Sequence, residues 1–93
     1  VGATSAGDSV VVRLPERCEQ FYEREYHRVV GFAYALAGSW EAAEDAAQEV
    51  FLRAHREWAR VGRYEQPGAW VRPVAANLAV SAFRRRLTEA RAL

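Results

Sequence analysis

Lysine, isoleucine and methionine are absent from the 93 residues, and cysteine occurs once, as Cys18. A single thiol excludes an internal disulfide, and a reducing, cytoplasmic setting is expected. Without lysine there is neither Schiff-base chemistry nor a GxxxxGK[ST] phosphate loop. His27 and His55 fall in different helical stretches, flanked mainly by arginine and glutamate, and with one cysteine they do not form a metal-ligand pattern. No apolar run approaches the roughly 18–20 residues of a membrane span, and nothing resembles a signal peptide. No nucleophile is paired with a base, so neither catalysis nor a cofactor is expected. With no initiator Met, the chain is expected to be part of a longer protein.

The residues present are those of a folded domain. Hydrophobic residues make up 51% and charged residues 27%, and the length suits one small domain with a single core. All 13 basic residues are arginine, a bias that a GC-rich genome produces without any selection for phosphate binding. The net charge of +1 hides an asymmetry: residues 1–52 carry four Arg and nine acids (−5), and residues 53–93 carry nine Arg and three acids (+6). A basic C-terminal half suits nucleic acid, whereas an acidic N-terminal half does not.

Periodicity predicts an all-α, compact three-helix domain over residues 15–89, after a flexible lead-in over 1–14 and before a linker beginning at 90–93. Pro15 suits a first helical turn, and Cys18, Tyr22, Tyr26, Val29, Ala33 and Leu36 recur at helical spacing. Gly38 is the expected C-terminal cap and Ser39 the next N-cap. The second helix, about residues 40–61, reads "WEAAEDAAQEVFLRAHREWARV". Ala43, Ala47, Val50, Phe51, Ala54, Trp58 and Val61 form its apolar stripe. Glu41, Asp45, Gln48, Glu49, Leu52 and Arg56 lie opposite, towards solvent or a partner. A short loop, "VGRYEQPG", leads to a third helix that begins at Pro67 or just after it and runs to about residue 89. Its stripe is Val71, Val74, Ala75, Leu78 and Ala82. Beside it run Trp70, Pro73, Asn77, Ser81 and Arg84. Pro73 predicts either a start near Trp70 or a kink.

Three segments carry a family resemblance. "FYEREYHRVVGFAYALAGSWEAAED" resembles the first helix and turn of region 2 of bacterial sigma factors of the extracytoplasmic-function group. "AEDAAQEVFLRAHREW" is similar to that family's "AEDLVQEXFLRAWR", and "AWVRPVAANLAVSAFRRR" to its "AWLXRIAXNXXXDXXRR". The resemblance spans about residues 17–88. It implies docking of the second helix on a coiled coil of the RNA polymerase β′ subunit and capture of the single-stranded promoter −10 element. It also implies anti-sigma factors as regulators.

Carried onto this chain, the polymerase-facing positions are Asp45, Gln48 and Glu49. The DNA-facing positions are Arg63 and Tyr64 in the loop and Asn77 on the third helix, with Arg84 and Arg85 on phosphate and Arg60 and Arg72 adding to the field. Carboxylates at i and i+4 can accept from Arg on a basic helix, an amide can read a base edge, and an aromatic ring can stack on an unpaired base.

Plainer readings stay open beside these. The acids can be a solvated face, Trp70 a core-edge anchor, Tyr64 an ordinary loop residue, Asn77 a satisfied polar residue, and Arg84–Arg86 a helix end favoured by the dipole. Cys18 reads as a small buried hydrophobe. The chain departs from the family pattern at Pro73, at Ala46 and Ala47 in place of Leu-Val, and at Ser81 in place of Asp. The competing function is a helical protein-interaction module with no direct DNA role. A helix-turn-helix duplex reader fits less well, because the connection between the second and third helices is too long.

Overall fold

Gly38 and Ser39 make the first corner of the chain as their residue types predict. Gly38 takes φ 72° and ψ 13°, and its N–H donates to the Tyr34 carbonyl. That left-handed conformation is costly for any residue with a Cβ, so glycine ends the helix here. Ser39 then accepts a hydrogen bond from the Ala42 N–H at 3.3 Å, supplying one of the donors a helix start leaves unpaired.

The structure, a computed structural model, describes residues 16–92. The lead-in over 1–14, and Pro15 with its expected place in a first helical turn, lie outside the described residues. The elements are α1 (Cys18–Ala37), α2 (Trp40–Arg56), α3 (Trp58–Val61) and α4 (Gly68–Ala92), and among the described residues there is no strand. α1 packs on both α2 and α4, which also pack on each other. No described helix is long and apolar enough to cross a membrane.

The core differs from the expected stripes in instructive ways. On α1 the fully buried aromatic is Phe21, while Tyr22 is 43% exposed. Two helices press on α1, so its buried surface is broad and centres on Phe21, Glu25, Val29, Ala33 and Ala37. Phe21 meets Phe51 at 5.6 Å and Trp58 at 5.2 Å between ring centroids. α2 buries its predicted stripe, and Ala43, Ala46, Ala47, Ala75 and Ala79 put small side chains into the shared core of α2 and α4. Cys18 is buried, which raises its thiol pKa, with Glu19 adding to the rise.

The second helix does not run unbroken to residue 61. It leaves helical geometry at Glu57 (φ −111°, ψ 21°), and α3 begins at Trp58. No glycine or proline marks this break, and the reason is tertiary. Trp58 stacks beside Phe21, and its indole N–H donates to the Glu16 carbonyl at 3.0 Å. Its ring lies directly over Gly62, where an added Cβ would come within 2.7 Å of indole atoms. Gly62→Ala is therefore expected to force the tryptophan aside and lower stability by about 1–3 kcal/mol. Urea unfolding followed by circular dichroism measures this, and an unchanged midpoint would mean the ring yields without cost.

α4 begins at Gly68, just after Pro67 as expected, and not near Trp70, the later start that Pro73 suggests, so Pro73 lies in the helix interior. Proline there removes the bond that an N–H would make to the Ala69 carbonyl. Both residues are exposed, so water can take that carbonyl's lone pairs and the helix continues. Residues 90–92, expected to open a linker, continue α4.

Candidate nucleic-acid and partner interfaces

The outward face of α2 presents Asp45 and Gln48 exposed and Glu49 half-buried, around the exposed Leu52. The trio fans out rather than clustering. Asp45 and Glu49 border a groove between α2 and α4, facing Arg85, Arg86 and Glu89. Gln48 borders a second, more apolar groove between α1 and α2, with Tyr22, Phe51 and Leu52. Glu49 is already engaged, accepting from Arg53 Nε at 2.9 Å one helical turn away. Asp45 has no ion-pair partner among the described residues, so its charge is free for another molecule.

Away from these grooves, the loop after α3 meets the start of α4. Tyr64 and Trp70 line a shallow cleft there with Glu65, Gln66 and Ala69. Arg60 sits beside it, its guanidinium carbon 5.9 Å from the centroids of both the Tyr64 and the Trp70 rings. It donates to the Tyr64 hydroxyl and to the Glu57 carboxylate. Glu57 first, and Tyr64 after it, hold the guanidinium pKa above its ordinary range. Arg63 projects from the same turn, exposed.

Beyond the cleft, the outer face of α4 carries Pro73, Asn77, Ser81 and Arg84, all exposed. The spacing of seven residues sets Asn77 about 10 Å along the axis from Trp70, and Arg84 as far again. Asn77 makes no side-chain hydrogen bond among the described residues, so its amide is open to a ligand.

The three consecutive arginines that end this stretch separate by role. Arg84 shares the Asn77 face. Arg85 turns to the acidic groove along α2. Arg86 donates to the Ala37 carbonyl at the C-terminus of α1, where a cation meets the negative end of the helix dipole. Of the plainer readings of this run, the helix-end role therefore holds for Arg86, although the end it caps belongs to α1.

Trp70, expected on the Asn77 face and read as a core-edge anchor, is half-buried and packs against the core, while one side of it lines the cleft. One further feature has no counterpart in the sequence reading. Glu25 is the buried charged residue on α1, at 7% exposure. It accepts from Arg24 Nε at 3.0 Å and lies 4.0 Å from Arg72, while Arg24 also reaches Glu16. Arg72, expected to add to the DNA-facing field, is exposed and borders this carboxylate. Among the described residues no group of three or more His, Cys, Asp or Glu is placed to hold a metal ion.

This order of surfaces, an acidic α2 face followed by an aromatic cleft and an amide-bearing α4, coincides with a family match. Residues 21–88 match Sigma-70 region 2. The chain belongs to that family. It is also 38% identical over 69 residues to the protein described as "Probable RNA polymerase sigma factor RfaY" of Xanthomonas campestris pv. campestris. That similarity covers 67% of this chain and 16% of the relative, so the chain corresponds to a small part of that protein. No solved structure gave a match. The region 2 match embraces Asp45, Gln48, Glu49, Arg60, Arg63, Tyr64, Asn77, Arg84 and Arg85.

Proposed function

We propose that this region 2 domain recognises and melts a promoter −10 element by capturing unpaired bases of the non-template strand while docked on the polymerase β′ coiled coil. It would thereby direct transcription initiation in the cytoplasm, as a binding module and not an enzyme. The observation that carries the reading is the arrangement along one side of the molecule. An aromatic cleft at Tyr64 and Trp70 leads to an unengaged amide at Asn77 and then to an exposed cation at Arg84.

Each part supplies one contact that single-strand recognition needs. Tyr64 offers a ring face that an extruded base can stack on, worth about 1–3 kcal/mol per base. Asn77 offers a donor and an acceptor on one planar group, matching a base edge. Arg84 and Arg63 meet backbone phosphate, which gives affinity without sequence information. Melting follows from capture, because a base held outside the stack cannot return to its partner and the binding energy offsets unpairing.

Docking belongs to the outward face of α2. Asp45 has no competing partner and would accept from a basic helix of polymerase. Glu49 would first have to release Arg53, and Gln48 adds donors beside the exposed Leu52. Arg85 in the acidic groove is better placed to orient that docking face than to reach DNA at Asn77. Anti-sigma factors would act by covering one or both surfaces.

The reading predicts that Asn77→Ala loses base discrimination at one position, by about 1–3 kcal/mol, while keeping most of its affinity for single strands. Fluorescence anisotropy with labelled oligonucleotides differing at single positions measures this. Unchanged discrimination would remove Asn77 from the readout.

A further inference from the structure

The geometry points to Arg60 as a positioning residue for the Tyr64 ring rather than a phosphate contact, an assignment that rests on the base-capture reading above. Glu57, Arg60 and Tyr64 stand on one side of the turns that follow α2. The Glu57 carbonyl accepts from the Arg60 and Val61 N–H groups at 2.9 Å, and the Tyr64 N–H donates to the Val61 carbonyl at 3.1 Å. These bonds fix the backbone spacing that lets one guanidinium reach both the Glu57 carboxylate and the Tyr64 hydroxyl.

Three consequences follow from that engagement. The positive charge of Arg60 is matched by Glu57, so its pull on a phosphate is weak compared with that of Arg84, which has no ion-pair partner among the described residues. The guanidinium carbon lies within cation–π range of Tyr64 and Trp70 together, so one cation is held against both rings that line the cleft. A loop tyrosine 40% exposed would otherwise sample several rotamers. Held by its hydroxyl, it presents one face to an incoming base and loses less freedom on binding. The fork of a guanidinium serves both partners at once, which the single ammonium of a lysine does not do in the same plane.

The test compares the wild-type chain with Arg60→Lys, Arg60→Gln, Tyr64→Phe and Arg84→Ala. Each is titrated with a −10-like single-stranded DNA oligonucleotide, and with the same oligonucleotide altered at one base, across a range of salt. Arg60 is exposed and packs into no core position, so its variants are expected to keep the wild-type circular dichroism and melting profile.

Positioning predicts that both Arg60 variants bind the preferred strand roughly tenfold more weakly and lose base preference, with the slope of log affinity against log salt unchanged. Tyr64→Phe should match them, and combining it with Arg60→Gln should add little. Arg84→Ala should instead lower the slope by about 0.7 while keeping base preference. A lowered slope in Arg60→Gln, with Arg60→Lys behaving as wild type and preference retained, would overturn the assignment and make Arg60 a phosphate contact. A wild type indifferent to the altered base would overturn base capture itself, and the positioning role with it.

Discussion

Replacing Phe21 with alanine is expected to cost about 3–5 kcal/mol, most of the stability a domain of this size holds. Phe21 is fully buried, and its ring joins α1 to Phe51 of α2 and Trp58 of α3. Removing it leaves a cavity where α1, α2 and α3 meet, and the rigid neighbouring rings can close it only in part. The loss also reaches the cleft. Trp58 holds Gly62 in place and caps the Glu16 carbonyl, so a loosened Trp58 frees the turn that carries Arg60 and Tyr64.

Tyr22→Ala provides the contrast, since Tyr22 touches Tyr26 and Phe51 from the exposed side and should cost about 1 kcal/mol. Urea unfolding of the two variants measures both. A Tyr22 variant less stable than the Phe21 variant would mean that α1 faces the core by a different stripe.

Reversing the charge at Asp45, as Asp45→Arg, should weaken docking on core RNA polymerase by on the order of 100-fold, because like charges then meet across the contact. Asp45 is exposed and unpaired among the described residues, so the change breaks no ion pair within the domain, and a circular-dichroism melt checks that an arginine facing Arg85 and Arg86 leaves the fold intact. Glu49→Gln should cost less. Its carboxylate is shared with Arg53, and an exposed helix pair of that kind is worth little either way. Competition for core polymerase against a labelled sigma factor reads both variants. Equal binding by wild type and Asp45→Arg would make the acidic face a solvated surface with no docking role.

Much of the fold could be read from the chain because local chemistry and tertiary packing agree there. Gly38 and Ser39 carry their own capping chemistry, and the α2 stripe buries as its spacing says. Where packing overrides local signals, the reading slipped. On α1 the expected Cys18, Val29 and Ala33 are buried, but Phe21, Glu25 and Ala37 are buried in place of Tyr22, Tyr26 and Leu36, because helical spacing alone does not say that two neighbours press on the helix. Tyr22 has the same apolar character as Phe21, and only the position of Phe51 and Trp58 decides between them.

The break at Glu57 has no local cause at all, and comes from Trp58 reaching across to α1. Pro73 leaves a start near Trp70 or a kink open in the sequence; α4 starts at Gly68 with the proline inside it, in an exposed turn that tolerates the missing bond. The site residues were legible as types on faces. Glu49 with Arg53 and Glu57 with Arg60 stand at i,i+4 and i,i+3, spacings at which helical ion pairs can be read. Arg86 with the Ala37 carbonyl, 49 residues apart, depends on tertiary packing and leaves no such signal.

The most direct measurement of base capture is anisotropy of the wild-type chain with a systematic set of single-stranded −10-like oligonucleotides at low and high salt. Capture predicts that one sequence is bound in preference to its single-base variants, that the preference survives the higher salt, and that overall affinity falls as phosphate contacts are screened. Binding with no preference among the sequences at either salt would contradict it, and would leave the α2 face as the domain's functional surface.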